Sequence, residues 1–245
     1  MISCKISGDI GDVVYSLPTI RALGIELVYL NYQNKYKLSG IGKTKFSEAG
    51  AKAIKPLIEA QPYIKHVAFY DGQATNYDLD IFRSVQKDLT FQNLTYAIAR
   101  TFSVDISAVE QPWLSVEPIR KEKIVLFNKT DRYLNHFIDW HSYDQFLPFA
   151  AFVGLESEHK KFCKEMDFNI PFYHTENLLQ LAQLIAGCDL FIGNQSSPYA
   201  IAEGLKKNTI QVVCPDCPNC IFPRNNAHYD YYTPIPQKQN NFIEL

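Results

Sequence analysis

The sequence predicts an α/β protein built as two halves, each with a parallel sheet of βαβ units, facing one another across a cleft. Three observations point there. Short apolar runs alternate with helix-period runs along the 245 residues. The alternation stops at residues 111–123, where two prolines and a charged cluster intervene, and then restarts. A buried-type strand at 189–193 runs straight into the polar, proline-primed helix start Asn194-Gln195-Ser196-Ser197-Pro198. Strands alternating with helices imply parallel sheets covered on both faces. A chain of this length suffices for two domains of about 120 residues each. The expected division is 1–118 and 119–245, each half Rossmann-like.

The elements follow in order. Residues 2–7 read as a strand, and Gly8-Asp9-Ile10-Gly11-Asp12 as a glycine-bearing turn. The next helix carries Val13, Leu17 and Ile20 at helical spacing, with Pro18 predicting a kink or a late start. A strand at 26–31, a helix at 51–60 and a strand at 64–70 come next, the last bounded by Gln61-Pro62 and Asp71-Gly72. Residues 78–82 suggest another strand and 92–102 a helix with Leu94, Ile98 and Phe102 on one side. Beyond the break lie a strand at 124–127, a polar loop and a helix at 143–152. An amphipathic helix follows, with Leu178, Leu181, Ala182 and Ile185 on one face and Gly187 as its stop. After the strand at 189–193, a helix at 199–205 and a last strand at 209–213 complete the pattern; the stretch from Pro223 carries no clear signal.

Composition narrows the function classes. Hydrophobic residues make up 47% and charged residues 20%, as in ordinary globular proteins. A net charge of −2 argues against affinity built mainly on nucleic-acid backbone contacts, while a local basic cleft lined by Arg21, Lys43 and Lys45 could still suffice for such a partner. No apolar run approaches the roughly 18 residues of a membrane span. Six unevenly placed cysteines do not make a disulfide scaffold, and a reducing cytoplasm is expected.

Several segments offer chemistry. A helix starting just beyond a strand directs free N–H groups and a partial positive charge at one spot, which suits phosphate; Ser196 or Ser197 would cap it and Pro198 fits its first turn. In open α/β sheets that spot is where ligands sit. In Ser7-Gly8-Asp9-Ile10-Gly11-Asp12 the glycines permit a sharp turn and close approach of a ligand. Asp12 is either a helix cap or a general base facing the cleft. Lys129, Thr130 and Arg132, beyond the strand at 124–127, form a sensible diphosphate set or an ordinary solvated loop. Glu203 is either a contact to a ribose or sugar hydroxyl or an exposed helix charge. The run Cys214-x-x-Cys217-x-x-Cys220 would need a fourth ligand, His228 being nearest, to hold zinc; a proline-rich loop of reduced thiols is the favoured reading.

Taken together, three segments resemble glycosyltransferase family 9, the heptosyltransferase-type enzymes with the two-domain GT-B fold. Lys5-Ile-Ser-Gly-Asp-Ile-Gly-Asp12 through Leu17-Pro18 is similar to the family's first motif. Residues 124–140 resemble the start of its nucleotide-sugar domain, and 178–213 its helix, strand, ligand loop, helix and strand. The resemblance implies a GT-B-like fold with a C-terminal donor half and an N-terminal acceptor half. It implies Asp12 as catalytic base, with Lys129 and Thr130 on the donor's phosphates and Asn194, Gln195, Ser196, Ser197 and Tyr199 around the donor. Asn194 stands where the family has an acidic residue, Ser196 where it has Gly, Tyr199 where it has His, and Tyr15 where the first motif often has His. The acceptor side would comprise Ser7, Gly8, Asp9, Gly11 and Tyr15.

The expected function is inverting, metal-independent transfer of a sugar from a nucleotide-sugar donor to an acceptor hydroxyl, with no further cofactor. The acceptor is a glycan or another hydroxyl-bearing molecule. One alternative is transfer to a modified nucleobase or a protein; another is a non-catalytic nucleotide-sugar-binding or zinc-stabilised interaction protein.

Overall fold

The computed structural model describes residues 1–32 and 46–231. Strands β1 (Ser3–Ile6), β2 (Leu27–Leu30), β3 (His66–Phe69) and β4 (Tyr77–Asp78) form a parallel sheet in the order β3-β2-β1-β4. Strands β5 (Val125–Asn128), β6 (Ala150–Phe152), β7 (Leu190–Asn194), β8 (Thr209–Val212) and β9 (Ala227–Asp230) form a second parallel sheet in the order β6-β5-β7-β8-β9. Helices α1 (Ile10–Ala22), α2 (Glu48–Glu59), α3 (Phe82–Val85) and α4 (Leu94–Thr101) accompany the first sheet in sequence. Helices α5 (Glu156–Met166), α6 (Leu178–Gly187) and α7 (Ser197–Gly204) accompany the second. This is the two-sheet α/β architecture that the alternation of strand and helix periods predicts.

Each sheet has a place where the chain's winding reverses: β1 lies between β2 and β4, and β5 lies between β6 and β7. Crevices form beyond the carboxyl ends of strands at such reversals, because successive connections leave in opposite directions. The first sheet's crevice is flanked by Ser7 and Gly8, the second's by Lys129, Thr130 and Gln195.

The two halves meet through helices. Helix α1 packs against α7, and α2 against α6. A Cβ on Gly11 would stand 3.9 Å from the Cβ of Ala200, so the start of α1 passes close to α7. Val13, Val14, Leu17 and Ile20 of α1 are fully buried and belong to one apolar cluster that also includes Tyr199 to Ala202 of α7. Each such aliphatic side chain contributes about 1.5–3 kcal/mol. The segment at 111–123 is pinned across this junction: the N–H groups of Trp113 and Leu114 donate to the Gly204 carbonyl, and Ile119 N–H donates to Gln183. Gly187 and Gly204 admit it, since a Cβ on Gly187 would overlap the Ile119 carbonyl oxygen and one on Gly204 would stand 2.8 Å from Leu114.

Some expected elements differ. Residues 78–82 are not a strand: after the two residues of β4, Asp78 accepts a hydrogen bond from Asp80 N–H and starts a 3-10 turn over Leu79–Ile81. The helix expected at 143–152 is a 3-10 segment over Trp140–Phe149 ending in β6, because Pro148 cannot donate and Ala150 to Phe152 pair with β5. Helix α1 runs through Pro18 and starts at Ile10, with no late start. Helix α5 and strand β9 lacked a sequence signal; α5 buries only Phe162 and Met166, and β9 is half-buried throughout. No helix among the described residues is long and apolar enough to cross a membrane. Of the basic residues considered for a nucleic-acid cleft, Lys43 and Lys45 lie outside the described residues, and Arg21 donates to the Pro112 carbonyl.

Candidate active site

A pocket of about 60 Å³ opens where the two crevices face each other, lined by Asp9, Gly11, Asp12 and Tyr15 from the start of α1 and by Gln195, Ser196 and Ser197 from the start of α7. Leu94, at the start of α4, and Arg132, Tyr133, Asn219 and Cys220 from loops close its sides. The starts of α1, α4 and α7 therefore converge on one space, although most of their first-turn N–H groups are already capped, Leu94 N–H by the Asn219 carbonyl, Tyr96 N–H by Asn93 and Tyr199 N–H by Ser196.

The α1 wall is organised by charge. Asp12 closes a capping box, its Oδ2 accepting from Asp9 N–H at 3.0 Å, and the same oxygen accepts from Arg83 Nη2 at 2.7 Å. Both readings of Asp12, helix cap and cleft-facing carboxylate, therefore describe the same side chain. Its other oxygen, Oδ1, has no hydrogen-bond partner among the described residues. Asp9 is linked across the pocket to Arg132 at 3.4 Å. Gly8 adopts φ +108°, and the space where its Cβ would stand is taken by Arg83 Nη2 and, at 2.5 Å, by Asp12 Oδ2. The close approach that glycine permits here is made by the protein's own arginine rather than by a ligand.

The α7 wall follows the expected capping chemistry. Ser196 is the N-cap, its Oγ accepting from Tyr199 N–H at 3.1 Å, and Pro198 sits in the first turn. Gln195 is buried and braces the cysteine loop, its Oε1 accepting from Cys214 N–H at 2.8 Å and its Nε2 donating to the Cys217 carbonyl at 2.6 Å.

Asn194 is fully buried and does not line the pocket. Its Oδ1 accepts from Thr130 N–H at 2.9 Å, while its Nδ2 donates to the carbonyls of Arg132 at 2.7 Å and Thr130 at 3.1 Å. It thus folds the loop that carries Arg132 and Tyr133. An amide is needed because a carboxylate would aim lone pairs at carbonyl oxygens. Asn194→Asp should lower stability by about 1–3 kcal/mol, the cost of unsatisfied buried groups, in urea denaturation; an unchanged midpoint would contradict this role.

Other expected donor contacts lie elsewhere. Lys129 is paired with Glu165 of α5 and covers the Trp140 ring, and Thr130 is taken up by the loop itself. Tyr199 is wholly buried, its hydroxyl 3.4 Å from Thr209 Oγ1, because α7 is enclosed between its own sheet and α1. Burial pushes its phenol well above the ordinary range. Glu203 is not an exposed helix charge: it is fully buried, accepting from Lys206 at 2.7 Å and from Arg224 at 3.0 Å. Ser7 is buried behind the wall, donating to Asp80. Tyr15 lines the pocket while only 3% exposed, and burial raises its phenol well above the usual value.

All six cysteines are free, and among the described residues no three His, Cys, Asp or Glu side chains are grouped to hold a metal. His228, the nearest candidate fourth ligand for the cysteine run, is hydrogen-bonded to Asp230 at 2.7 Å. Cys220 lines the pocket, and burial raises its thiol to about 12. Sequence reasoning missed Arg83, Asp80, Leu94, Tyr133 and Asn219. Arg83 stands 71 residues from Asp12, so no local motif links them.

No protein-family model and no curated protein matches the chain. Solved structures do. A glycosyl transferase family 9 protein from Veillonella parvula aligns over 95% of this chain and 88% of its own, with 12% identity and a TM-score of 0.59. The dodecameric iron-containing heptosyltransferase TibC, solved with ADP-D-β-D-heptose, aligns over 95% of this chain and 63% of its own, with 12% identity and a TM-score of 0.58. The E. coli heptosyltransferase WaaC with ADP aligns over 93% of this chain and 92% of its own, with 13% identity and a TM-score of 0.50. The architecture of this chain is therefore the GT-B-like fold of family 9 glycosyltransferases.

Proposed function

We propose that this chain transfers a sugar from a nucleotide-sugar donor to an acceptor hydroxyl with inversion, residues 119–245 holding the donor and 1–118 the acceptor. The observation that carries the reading is the shared pocket: Asp12, with Oδ1 unpartnered among the described residues, lines the same small space as Ser196 and Ser197 at the start of α7. A diphosphate at that helix start meets the hydroxyls of Ser196 and Ser197 and, from the adjoining loop, Arg132. Asp12 accepts the acceptor's hydroxyl proton as the oxygen bonds to the anomeric carbon. The bond from that carbon to the diphosphate oxygen breaks on the opposite face, and the nucleoside diphosphate leaves with the electron pair. Holding both substrates in one crevice supplies the orientation. The heptosyltransferase structures solved with ADP and with ADP-D-β-D-heptose support adenosine diphosphate as the first donor nucleotide to test.

The test is a panel. ADP at 100 times its Kd should stabilise the folded protein by about 2.7 kcal/mol, read as a rise in Tm. Nucleotide sugars, ADP-D-β-D-heptose among them, are then offered with glycan, modified-nucleobase and protein acceptors, and released nucleoside diphosphate and product anomer are measured. A product of opposite anomeric configuration to the donor is expected. Binding without turnover would make the chain a nucleotide-sugar-binding protein, and retention would remove the single-displacement chemistry.

A further inference from the structure

We infer that Arg83 is the positioning residue of the proposed base, fixing one oxygen of Asp12 so that the other faces the reacting hydroxyl; this rests on the transfer reading above. The guanidinium is held from several sides. Nη1 donates to Asp80 Oδ1 at 2.7 Å, Nη2 donates to Asp12 Oδ2 at 2.7 Å and to the Ser7 carbonyl at 3.2 Å, and the group lies 4.3 Å from the Phe82 ring centre. Asp80 is itself fixed, 5% exposed, accepting from Ser7 N–H at 3.0 Å and Ser7 Oγ at 2.8 Å. The arrangement sits at the winding reversal of the first sheet, between the ends of β1 and β4.

The sequence around Asp12 is built to admit this arginine. Gly8, in a left-handed conformation, vacates the volume that Arg83 Nη2 and Asp12 Oδ2 occupy. A side chain at position 8 would expel the guanidinium. Two hydrogen bonds, from Arg83 and from Asp9 N–H, then fall on the same carboxylate oxygen. A carboxylate on the first turn of a helix would otherwise rotate about χ2 and present either oxygen. With Oδ2 held, Oδ1 is the proton acceptor in one orientation, which is where proximity effects on rate arise. Lysine could not replace arginine here, because a point charge cannot reach Asp80, the Ser7 carbonyl and Asp12 with a fork of fixed geometry.

The test measures steady-state turnover on the donor and acceptor pair that gives transfer in the panel. Arg83→Ala should lower kcat on the order of 10²-fold, the scale of a misplaced catalytic group, with the donor's KM little changed. Guanidinium ion added at millimolar concentration should restore part of the lost kcat to Arg83→Ala and none to Asp12→Asn. Arg83→Lys should stay impaired while melting cooperatively near the wild-type temperature. The double variant Asp12→Asn/Arg83→Ala should be no slower than Asp12→Asn alone, since a residue acting through Asp12 has nothing left to position. Wild-type kcat in Arg83→Ala, or additive losses in the double variant, would overturn the role of Arg83 while leaving a strongly impaired Asp12→Asn to sustain the transfer reading. Wild-type turnover in Asp12→Asn, or none by the wild type on the whole panel, would overturn both.

Discussion

Asp12→Asn should cut sugar transfer to a small residual rate while the protein still folds and binds nucleotide. The amide oxygen of the substituted side chain can accept the same two hydrogen bonds, from Asp9 N–H and Arg83, that Asp12 Oδ2 accepts. What it cannot do is take a proton. Loss of general-base catalysis amounts to about 10²–10⁴ in rate, or roughly 3–5 kcal/mol of barrier. The measurement is kcat alongside ADP affinity and Tm. Retained turnover would remove Asp12 from the chemistry and leave it a helix cap. A parallel fall in ADP affinity would mean that the carboxylate shapes the pocket rather than accepting a proton.

The second large effect concerns stability. Glu203→Ala should cost about 3–5 kcal/mol, the usual penalty for removing one partner of a buried ion pair. The Glu203 carboxylate is fully covered and is met by Lys206 on one oxygen and by Arg224 on the other, so its loss deprives two mostly covered cations of their carboxylate. Urea denaturation at neutral pH gives the number; a loss below about 1 kcal/mol would show that the network does not stabilise the fold. The pH dependence has a defined sign. Burial already lowers the Lys206 ammonium below its ordinary range, and Glu203 is the main group opposing that shift. Without it, the unfolded chain holds a proton on Lys206 that the folded chain resists. The deficit of the variant should therefore shrink as pH rises toward the ordinary lysine range.

Much of the pocket's framework was legible because it rests on short-range rules. The start of α7 could be placed from a strand run followed by serine and proline, and Ser196 caps it. The turn after β1 could be placed from its glycines, and Asp12 lies on its cleft side. The residues whose direction went unread are those with long-range partners. Lys129 turns to Glu165, 36 residues away, and Asn194 to the 130–133 loop, so neither enters the pocket as placed. Tyr199 reads as donor-facing through the family resemblance, and Glu203 as a donor contact or surface charge because a helix of eight residues has an outer face by default. Here the outer face is covered by α1, and both groups are interior.

The α/β class, the alternation of strands and helices in most of the chain and the two ligand-type turns were determined by the sequence itself, through hydrophobic periods, caps and turn residues that act within a few positions. Tertiary structure decided which oxygen of Asp12 is held, what fills the space beside Gly8 and which charges are buried. Those outcomes depend on Arg83, Asp80, Arg224 and α1, which arrive from distant parts of the chain. Burial and ion pairing are properties of what packs against a residue, and only the folded chain brings those neighbours together.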